Sequence, residues 1–557
     1  MKLSVWVRGL TALFFFSLGV GCAGASGGVA NSEAAAPVPS GAAAANSSYT
    51  LVAWSELGMH CMDGKDYSTF SVLPPYNVIH AQLLKKGSPP VAVTSGVTLT
   101  YQATADATGS INTTSASKTN FWNYVKLLFL TNPAGNTGIA GYKVQSRTPH
   151  ALTFNASAGY WEAVGVPTIG YDDAGKFNPY PMAMLVAKDA AGNVLANAKI
   201  VLSVSDEMSC KTCHSSGSDP AAEPASGWVN NSDPVKDMKL NILRKHDDRW
   251  NISGYLAQLS KNGYKYKSTL YATATSGTPV LCAACHSDNA LGAAGLPGIG
   301  AEASDMHTLH GRQVLQANGL TLDQNSRKND LSSCYLCHPG AVTQCKRGAM
   351  NKVLCANCHG NVSDTGNAAR NPWLVEPSCQ LCHQGGKRYA TTFDSGGKWR
   401  TVSDQTFATN QNVPIAGSDL YRFSSGHGGV YCSACHGSPH AEYPTLQPND
   451  SVYPKQLQGY VAKITECTAC HSTVPVTATG GPHGIHTVGQ AWVNGHGDYA
   501  ENNHAACTYC HGANYRGTAL SVAKVARTFK VDDGGTKTFP AGHQFNCYDC
   551  HNGPNGG

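Results

Sequence analysis

Residues 49–206 carry the most regular pattern of hydrophobic and polar positions in the chain. Short apolar runs are separated by small or polar residues, and residues 91–101 have the period of two that is typical of a strand with one buried face. The apolar runs 182–186 and 194–204 flank a turn and predict a hairpin. Because Gly, Pro and Asn separate these runs, the pattern predicts a β-sandwich-like domain. Residues 120–130 fit either a short helix or a buried strand.

Residues 207–557 show little sustained period of a strand or a helix. The whole chain is rich in Gly (59) and Pro (28), and only 13% of its residues are charged, which argues against long amphipathic helices. We therefore expect a mixed fold, in which the β-rich domain is followed by a loop-rich region with short helices.

The first 48 residues have the composition of an export signal and a linker. A positively charged start precedes an apolar run that is too short to span a membrane as a helix. We expect a signal peptide over 1–22 and a flexible linker over 23–48. Cys22 follows small residues, as in a bacterial lipobox, and is a candidate for lipidation. The alternative is cleavage after Ala25, which would remove Cys22.

The strongest chemical signal is the pattern Cys-x-x-Cys-His, which occurs nine times after residue 207. Its cysteines are Cys210, Cys213, Cys282, Cys285, Cys334, Cys337, Cys355, Cys358, Cys379, Cys382, Cys432, Cys435, Cys467, Cys470, Cys507, Cys510, Cys547 and Cys550. Its histidines are His214, His286, His338, His359, His383, His436, His471, His511 and His551.

This spacing is the one that attaches haem c. Two thiols three positions apart reach the two vinyl groups of one porphyrin, and the histidine that follows lies under the iron. We therefore expect nine haem c groups, with the motif cysteines as attachment sites and the motif histidines as proximal iron ligands. Pairs of cysteines that bind zinc or undergo redox cycling do not explain a histidine after every pair.

Nine porphyrins would supply most of the apolar core of residues 207–557. We expect this haem-cored region to be unfolded without its cofactors, and each motif to lie on a short helix. The last three motifs begin at Cys467, Cys507 and Cys547, an equal spacing that indicates repeated units.

Histidines outside the motifs are numerous enough to supply the sixth iron ligands. The chain has 22 histidines, and ten of those outside the motifs lie after residue 207. The candidate distal ligands are His246, His307, His310, His427, His440, His483, His486, His496, His504 and His543, together with His60 and His80 from the β-rich domain.

The spacing of some candidates predicts which haems they serve. His307 and His310 are three residues apart, so on a helix they would share a face and could serve two neighbouring haems. His504 and His543 lie just before motifs and are expected to serve a neighbouring haem rather than their own. Met306 is an alternative ligand that would raise the potential of its site.

Iron with two histidine ligands has no open coordination position, so it passes electrons but does not readily bind a substrate. The formal charge of +5 omits the haem propionates. Counting nine haems and removing the signal peptide gives roughly −6 when the protein is oxidised and roughly −15 when it is reduced. Nucleic acid is therefore excluded as a partner.

The sequence resembles the multihaem outer-membrane and extracellular c-type cytochromes of metal-respiring bacteria. The resemblance rests on the density of motifs, on C-S-A-C-H-G-S-P-H-A-E at 432–442, on G-P-H-G-I-H at 481–486 and on C-Y-D-C-H-N-G-P at 547–554. It implies electron transfer at the cell surface, to other cytochromes, a porin–cytochrome conduit, metal oxides or electrodes. It also implies an exported protein held to the membrane by a lipid anchor only, on the outer or the periplasmic face, or released outside the cell.

Two other functions stay open. One is a multihaem terminal reductase with one open-coordination haem, although the Cys-x-x-Cys-Lys motif often found in such enzymes is missing from this sequence. The other is a surface binding protein that uses the β-rich domain to hold a partner and carries its haems as accessories.

Residues 57–63 combine one histidine, one cysteine, two methionines and one carboxylate. Either His60 or His80 could be the distal ligand of the Cys210 haem, His60 and Cys61 could bind a separate metal, or the segment could be a buried turn. Cys345 is the other cysteine of residues 207–557 that no motif uses, and a Cys61–Cys345 disulfide is an open alternative.

Overall fold

The computed structural model describes most of the chain from residue 48 onward. The described residues are 48–557 without 208–209, 369, 372, 375–419, 476, 479–480, 483–484, 519, 532–534 and 555–557. Several sequence predictions lie outside them, namely the signal peptide with Cys22, nearly all of the linker, the motif residues Cys379, Cys382 and His383, and the candidate ligand His483.

Two antiparallel sheets form most of the region before residue 206. The strands of the described chain are β1 (Tyr49–Ser55), β2 (His60–Cys61), β3 (Phe70–Ser71), β4 (Asn77–Lys85), β5 (Val91–Val93), β6 (Val97–Thr104), β7 (His150–Ala151), β8 (Thr153–Asn155), β9 (Tyr160–Val166), β10 (Met182–Asp189), β11 (Val194–Val201), β12 (Val204–Ser205), β13 (Val280–Leu281), β14 (Arg527–Val531) and β15 (Gly535–Phe539). The first sheet has the order β8–β9–β4–β1, with β5 also paired to β4, and the second has the order β11–β10–β6–β7.

Side chains from both sheets meet in one hydrophobic core. Ile79 of β4, Leu99 of β6 and Leu185 of β10 are completely buried in it. The predicted β-rich N-terminal region is therefore confirmed. The predicted hairpin is confirmed as β10–β11, where the Asp189 carboxylate accepts a hydrogen bond of 2.8 Å from the backbone N–H of Asn193.

The strand predicted over residues 91–101 is instead two strands. Gly96, at φ 70°, lies between β5 and β6, a conformation that glycine adopts at little cost. β5 pairs with β4 in the first sheet, whereas β6 pairs with β10 in the second. The alternating pattern continues through the turn and so did not reveal where the strand ends.

Residues 120–130 form a helix, α1 (Phe121–Phe129). Its buried residues Phe121, Val125 and Leu128 follow helical spacing and pack against Leu281, which lies beyond residue 206. That contact stabilises the helical alternative.

The region after residue 206 is built from short helices, turns and loops. Its helices are α2 (Lys211–His214), α3 (Pro234–Arg249), α4 (Leu256–Lys261), α5 (Leu270–Thr275), α6 (Glu302–Gly311), α7 (Leu322–Ser326), α8 (Cys355–His359), α9 (Val362–Thr365), α10 (Cys432–His436), α11 (Val452–Gln458), α12 (Gln490–Gly495) and α13 (Gly497–His511). The mixed fold class is confirmed at this level.

Helix α3 is longer than we expected for this region, with 16 residues. It begins with Pro234, and the Asp233 side chain accepts hydrogen bonds from the backbone N–H groups of Val235 and Lys236. Among the helices that the structure describes, none combines the length and hydropathy that a membrane crossing needs.

The β-rich region and the motif region share contacts and cores. Strand β13 pairs in parallel with β3, and Ala434 and Tyr453 are buried in the core between the two sheets. Arg347 forms a buried ion pair with Asp450 and also donates to the carbonyl of Gly58. Loops of the motif region are thus held against the sheets by side chains, not only by the chain connection.

Candidate cofactor centres

Each of the motifs that the structure describes forms a tight helical turn. Helices α8 and α10 are themselves the five motif residues, and the motif that starts at Cys334 begins with a 3₁₀ turn. In that motif the backbone N–H of His338 donates to the carbonyl of Cys334 at 2.8 Å. Residues three and four apart lie on the same side of a helical turn, so the two thiols and the imidazole of one motif face one direction.

Six motif histidines lie opposite a second histidine that the sequence marked as a candidate distal ligand. The distances between ring centres are 6.3 Å for His214–His310, 6.0 Å for His338–His307, 6.0 Å for His359–His440, 5.9 Å for His471–His427, 6.3 Å for His511–His486 and 5.8 Å for His551–His496. The fold therefore brings together residues that lie far apart in the sequence.

The separation within these pairs is that of two imidazoles on opposite sides of one metal ion. An imidazole nitrogen binds a metal at about 2.0–2.1 Å and lies about 1.2 Å from the ring centre, so the two centres are expected about 6.4 Å apart. Direct stacking is much closer, as the 3.9 Å between the ring centres of His486 and Trp492 shows. The donor set and its spacing fit haem iron with two histidine ligands.

Hydrogen bonds to backbone carbonyls orient many of these rings. Nδ1 of His307 donates to Ala303 at 2.6 Å, and Nδ1 of His310 donates to Met306 at 2.7 Å, both one turn back on α6. The same type of bond is formed by His486, His496, His511, His551 and His286. A proton on Nδ1 leaves Nε2 free to bind a metal, and such bonds are usual behind metal ligands.

Burial keeps several of the paired imidazoles neutral, the form that binds metal. It lowers the pKa of His214 to about 4, with a smaller contribution from His310. It lowers the pKa of His359 to about 3, and that of His440 to about 4. At neutral pH these rings are therefore neutral, and each has one nitrogen with a free lone pair.

The motif at Cys282 has a nearby candidate ligand in His246 of α3. Burial lowers the pKa of His246, and the charge of His286 lowers it further against the opposing effect of Asp247. The Nδ1 atom of His286 is 3.1 Å from the Gly300 carbonyl oxygen and 3.2 Å from the Asp305 carboxylate.

Neighbouring centres share structural elements. His307 and His310, both on α6, lie opposite the histidines of two different motifs. The thiols of Cys334 and Cys355, from successive motifs, lie within 4.8 Å of each other and of the Asp330 carboxylate. These contacts place cysteines of consecutive motifs next to each other.

One cavity of about 2570 Å³ connects most of these groups. Cysteines and histidines of seven motifs line it, starting at Cys210, Cys334, Cys355, Cys432, Cys467, Cys507 and Cys547. Single-ligand pockets have volumes of roughly 300–1,000 Å³, so this cavity has room for several large groups. Its wall includes His436, the histidine of the Cys432 motif.

His60 and His80 lie away from the motif histidine that we considered for them. His310, rather than His60 or His80, is opposite His214. Both rings are buried, and within the described part of the chain none of their nitrogens has a hydrogen-bond partner. His60 packs edge-on against Tyr76, and burial lowers the pKa of both histidines to about 3.

His504 and His543 also lie apart from the motif histidines of the described chain. Nε2 of His543 is 2.8 Å from the Asp549 carboxylate, inside the last motif, so that nitrogen already has a partner. His504 lies on α13 and lines the cavity. The alternative ligand Met306 has 40% of its surface exposed, while its carbonyl orients His310.

Trp492 is a residue of these centres that the sequence did not reveal. Its ring stacks on His486 and approaches His496 at 5.8 Å. The sequence places Trp492 between two candidate ligands, His486 and His496, but that position alone does not distinguish it from other aromatic residues of the chain.

In comparisons with known proteins, the chain matches no family model, no curated protein and no solved structure.

Proposed function

We propose that this protein transfers electrons through nine haem c groups attached at its nine Cys-x-x-Cys-His motifs, with two histidine ligands at each iron. The observation that carries the proposal is the set of six histidine pairs with ring centres 5.8–6.3 Å apart. Each pair joins one motif histidine to one histidine from elsewhere. The separation itself is common among packed aromatic rings; what supports the proposal is that each pair combines a motif histidine with a histidine outside the motifs.

The side chains of each centre have separable tasks. The cysteines would hold the porphyrin, and the paired imidazoles would bind its iron, which would leave no position for a substrate. The bonds from Nδ1 to backbone carbonyls hold the rings in one orientation. When bound, haem supplies one-electron exchange between ferric and ferrous iron. Closed coordination on both faces favours an electron carrier over a catalyst.

The shared elements favour transfer from one centre to the next. α6 carries ligands for the motifs at Cys210 and Cys334, and the Cys334 and Cys355 thiols are neighbours. In this proposal the haems of the seven motifs that line the cavity of about 2570 Å³ would occupy it and supply the core there.

We place this activity outside the cytoplasm, on the basis of the predicted signal peptide 1–22 and the resemblance to surface cytochromes. Lipidation of Cys22 would anchor the protein to the outer membrane without a spanning helix. Other cytochromes, a porin–cytochrome conduit and extracellular acceptors such as metal oxides are the proposed partners.

The test uses the full-length protein produced in a host that attaches haem c. Mass spectrometry and the pyridine haemochrome assay should give nine haems per chain. Electron paramagnetic resonance (EPR) of the oxidised protein should show low-spin ferric iron only, and dithionite should reduce all the haems without a change in haem content.

Two results would overturn the proposal. A chain with no covalent haem, or with zinc at the cysteines, would refute the cofactor assignment. A high-spin ferric signal equivalent to about one haem per chain would indicate an open iron. Turnover of a small oxyanion or sulfur compound by that preparation would then favour the terminal reductase.

A further inference from the structure

Trp492 lies between the candidate distal ligands of two different centres. Its ring on α12 stacks on His486, with ring centres 3.9 Å apart and an angle of 8° between the planes. The ring of His496 lies 5.8 Å from the Trp492 ring, with an angle of 36° between the planes. His486 is paired with His511 and His496 with His551, so one indole contacts the ligands of the last two motifs.

The ring of His486 has weaker support from the backbone than the rings of His307, His310 and His496 have. His307 and His310 are on a helix, and each donates to a carbonyl one turn back. His496 has the same support, because its Nδ1 lies 3.1 Å and 3.0 Å from the carbonyls of Trp492 and Val493. His486 lies in a loop, and among the described residues its Nδ1 donates at 2.9 Å to Thr487, the next residue.

The carbonyl of an adjacent residue moves together with the histidine, so a hydrogen bond to it restricts the imidazole plane only weakly. A flat indole over the whole ring restricts that plane directly. The planes of His486 and His511 differ by 11°.

We propose that Trp492 is a positioning residue that sets the imidazole plane of His486 and so the ligand orientation at the Cys507 motif. This inference rests on the proposed function, because it assumes that His486 and His511 bind one haem iron. An electron carrier needs ligands that keep their positions in both oxidation states, and the loop around His486 does not provide this by itself.

The experiment compares oxidised holoprotein of the wild type, W492L and W492F by EPR. Leu fills space without a ring, whereas Phe restores a flat stacking partner. The H486A variant first identifies the signal of the Cys507 centre. We expect W492L to shift and broaden that signal, while the signal of the Cys547 centre changes little because the carbonyl of residue 492 is retained. W492F should restore most of the wild-type spectrum.

The matched control is W250L. Trp250 contacts His246 at 5.2 Å with an angle of 52°, so it is beside a candidate ligand without stacking on it. Its removal should leave the Cys507 signal unchanged. Haem content is measured for every variant, and W492F decides the question if W492L loses haem.

Three outcomes are distinguishable. An unchanged Cys507 signal in W492L, or equal shifts in W492L and W492F, would overturn the role of Trp492 and leave the electron carrier intact. A wild-type spectrum without low-spin haem would instead refute the proposed function, on which this inference depends. A midpoint potential that moves for one haem in W492L and returns in W492F would support the positioning role.

Discussion

Arg347 forms a buried ion pair with Asp450 and also contacts the β-rich region, and its replacement should destabilise the protein. Only 1% of the Arg347 surface is exposed. Its Nε and Nη2 atoms donate to the two carboxylate oxygens of Asp450 at 2.5 Å and 2.9 Å. Nη1 also donates to the Gly58 carbonyl, in the loop between β1 and β2.

Replacing Arg347 with Met leaves the Asp450 carboxylate buried without its cation. Breaking a buried pair in this way costs about 3–5 kcal/mol. We expect a loss near the lower end, because the Thr445 hydroxyl still donates to Asp450 at 2.8 Å. The double variant R347M/D450L removes both charges and should recover most of the loss, since apolar replacements of buried pairs are often neutral.

The assay is urea-induced unfolding of the holoprotein, followed by far-ultraviolet circular dichroism. The matched control is R527M, because Arg527 and Glu466 are also 2.5 Å apart but about a quarter exposed. Exposed pairs contribute roughly 0–1 kcal/mol, so this variant should stay close to the wild type. If R347M lost no more stability than R527M, or if the double variant showed purely additive losses, the buried ion pair would not have the stabilising role that we describe.

Three further predictions follow from the geometry of the histidines. The ring planes of His214–His310 and His359–His440 are at 73°, whereas those of three other pairs differ by 11–22°. EPR should therefore show at least two haems with the large maximal g value of crossed ligand planes and three with rhombic signals; a single type of signal would contradict the pairing. H310M should raise the midpoint potential of one haem and remove one large-g signal, whereas H543Q should change neither. Finally, burial lowers the pKa of His80 to about 3, below its value in the unfolded chain. The stability that neutral, buried His80 contributes is therefore complete above about pH 6.5 and is lost as the pH falls toward 3. H80F should make the acid-induced loss of stability shallower by up to about 1.4 kcal/mol per pH unit, and parallel acid unfolding curves would refute this.

The fold was predictable from the sequence where local patterns determine it. The hairpin β10–β11 has a turn whose Asp189 side chain binds the backbone, and its strands alternate visibly. The separation of β5 from β6 was not predictable, because which sheet each joins depends on β4 and β10, far away in the chain. For residues 120–130 the sequence fitted a helix or a buried strand equally well. The helix α1 packs against Leu281, a contact that the local sequence does not reveal.

Each candidate centre combines a motif histidine, which the local sequence predicts, with a second histidine, which it does not. A motif histidine follows its cysteines within one helical turn, so five residues suffice to predict attachment and the first ligand. The second ligand depends on the tertiary fold, which places His440 opposite His359 and His427 opposite His471. The number of histidines alone does not identify the second ligands. His543 was as good a candidate as His496 in the sequence, but its Nε2 contacts the Asp549 carboxylate. The number of spare histidines therefore supports two ligands for most irons, while the identity of each second ligand is a property of the fold. Variants of the paired histidines test that property more directly than variants of the motifs, which would remove the haem itself.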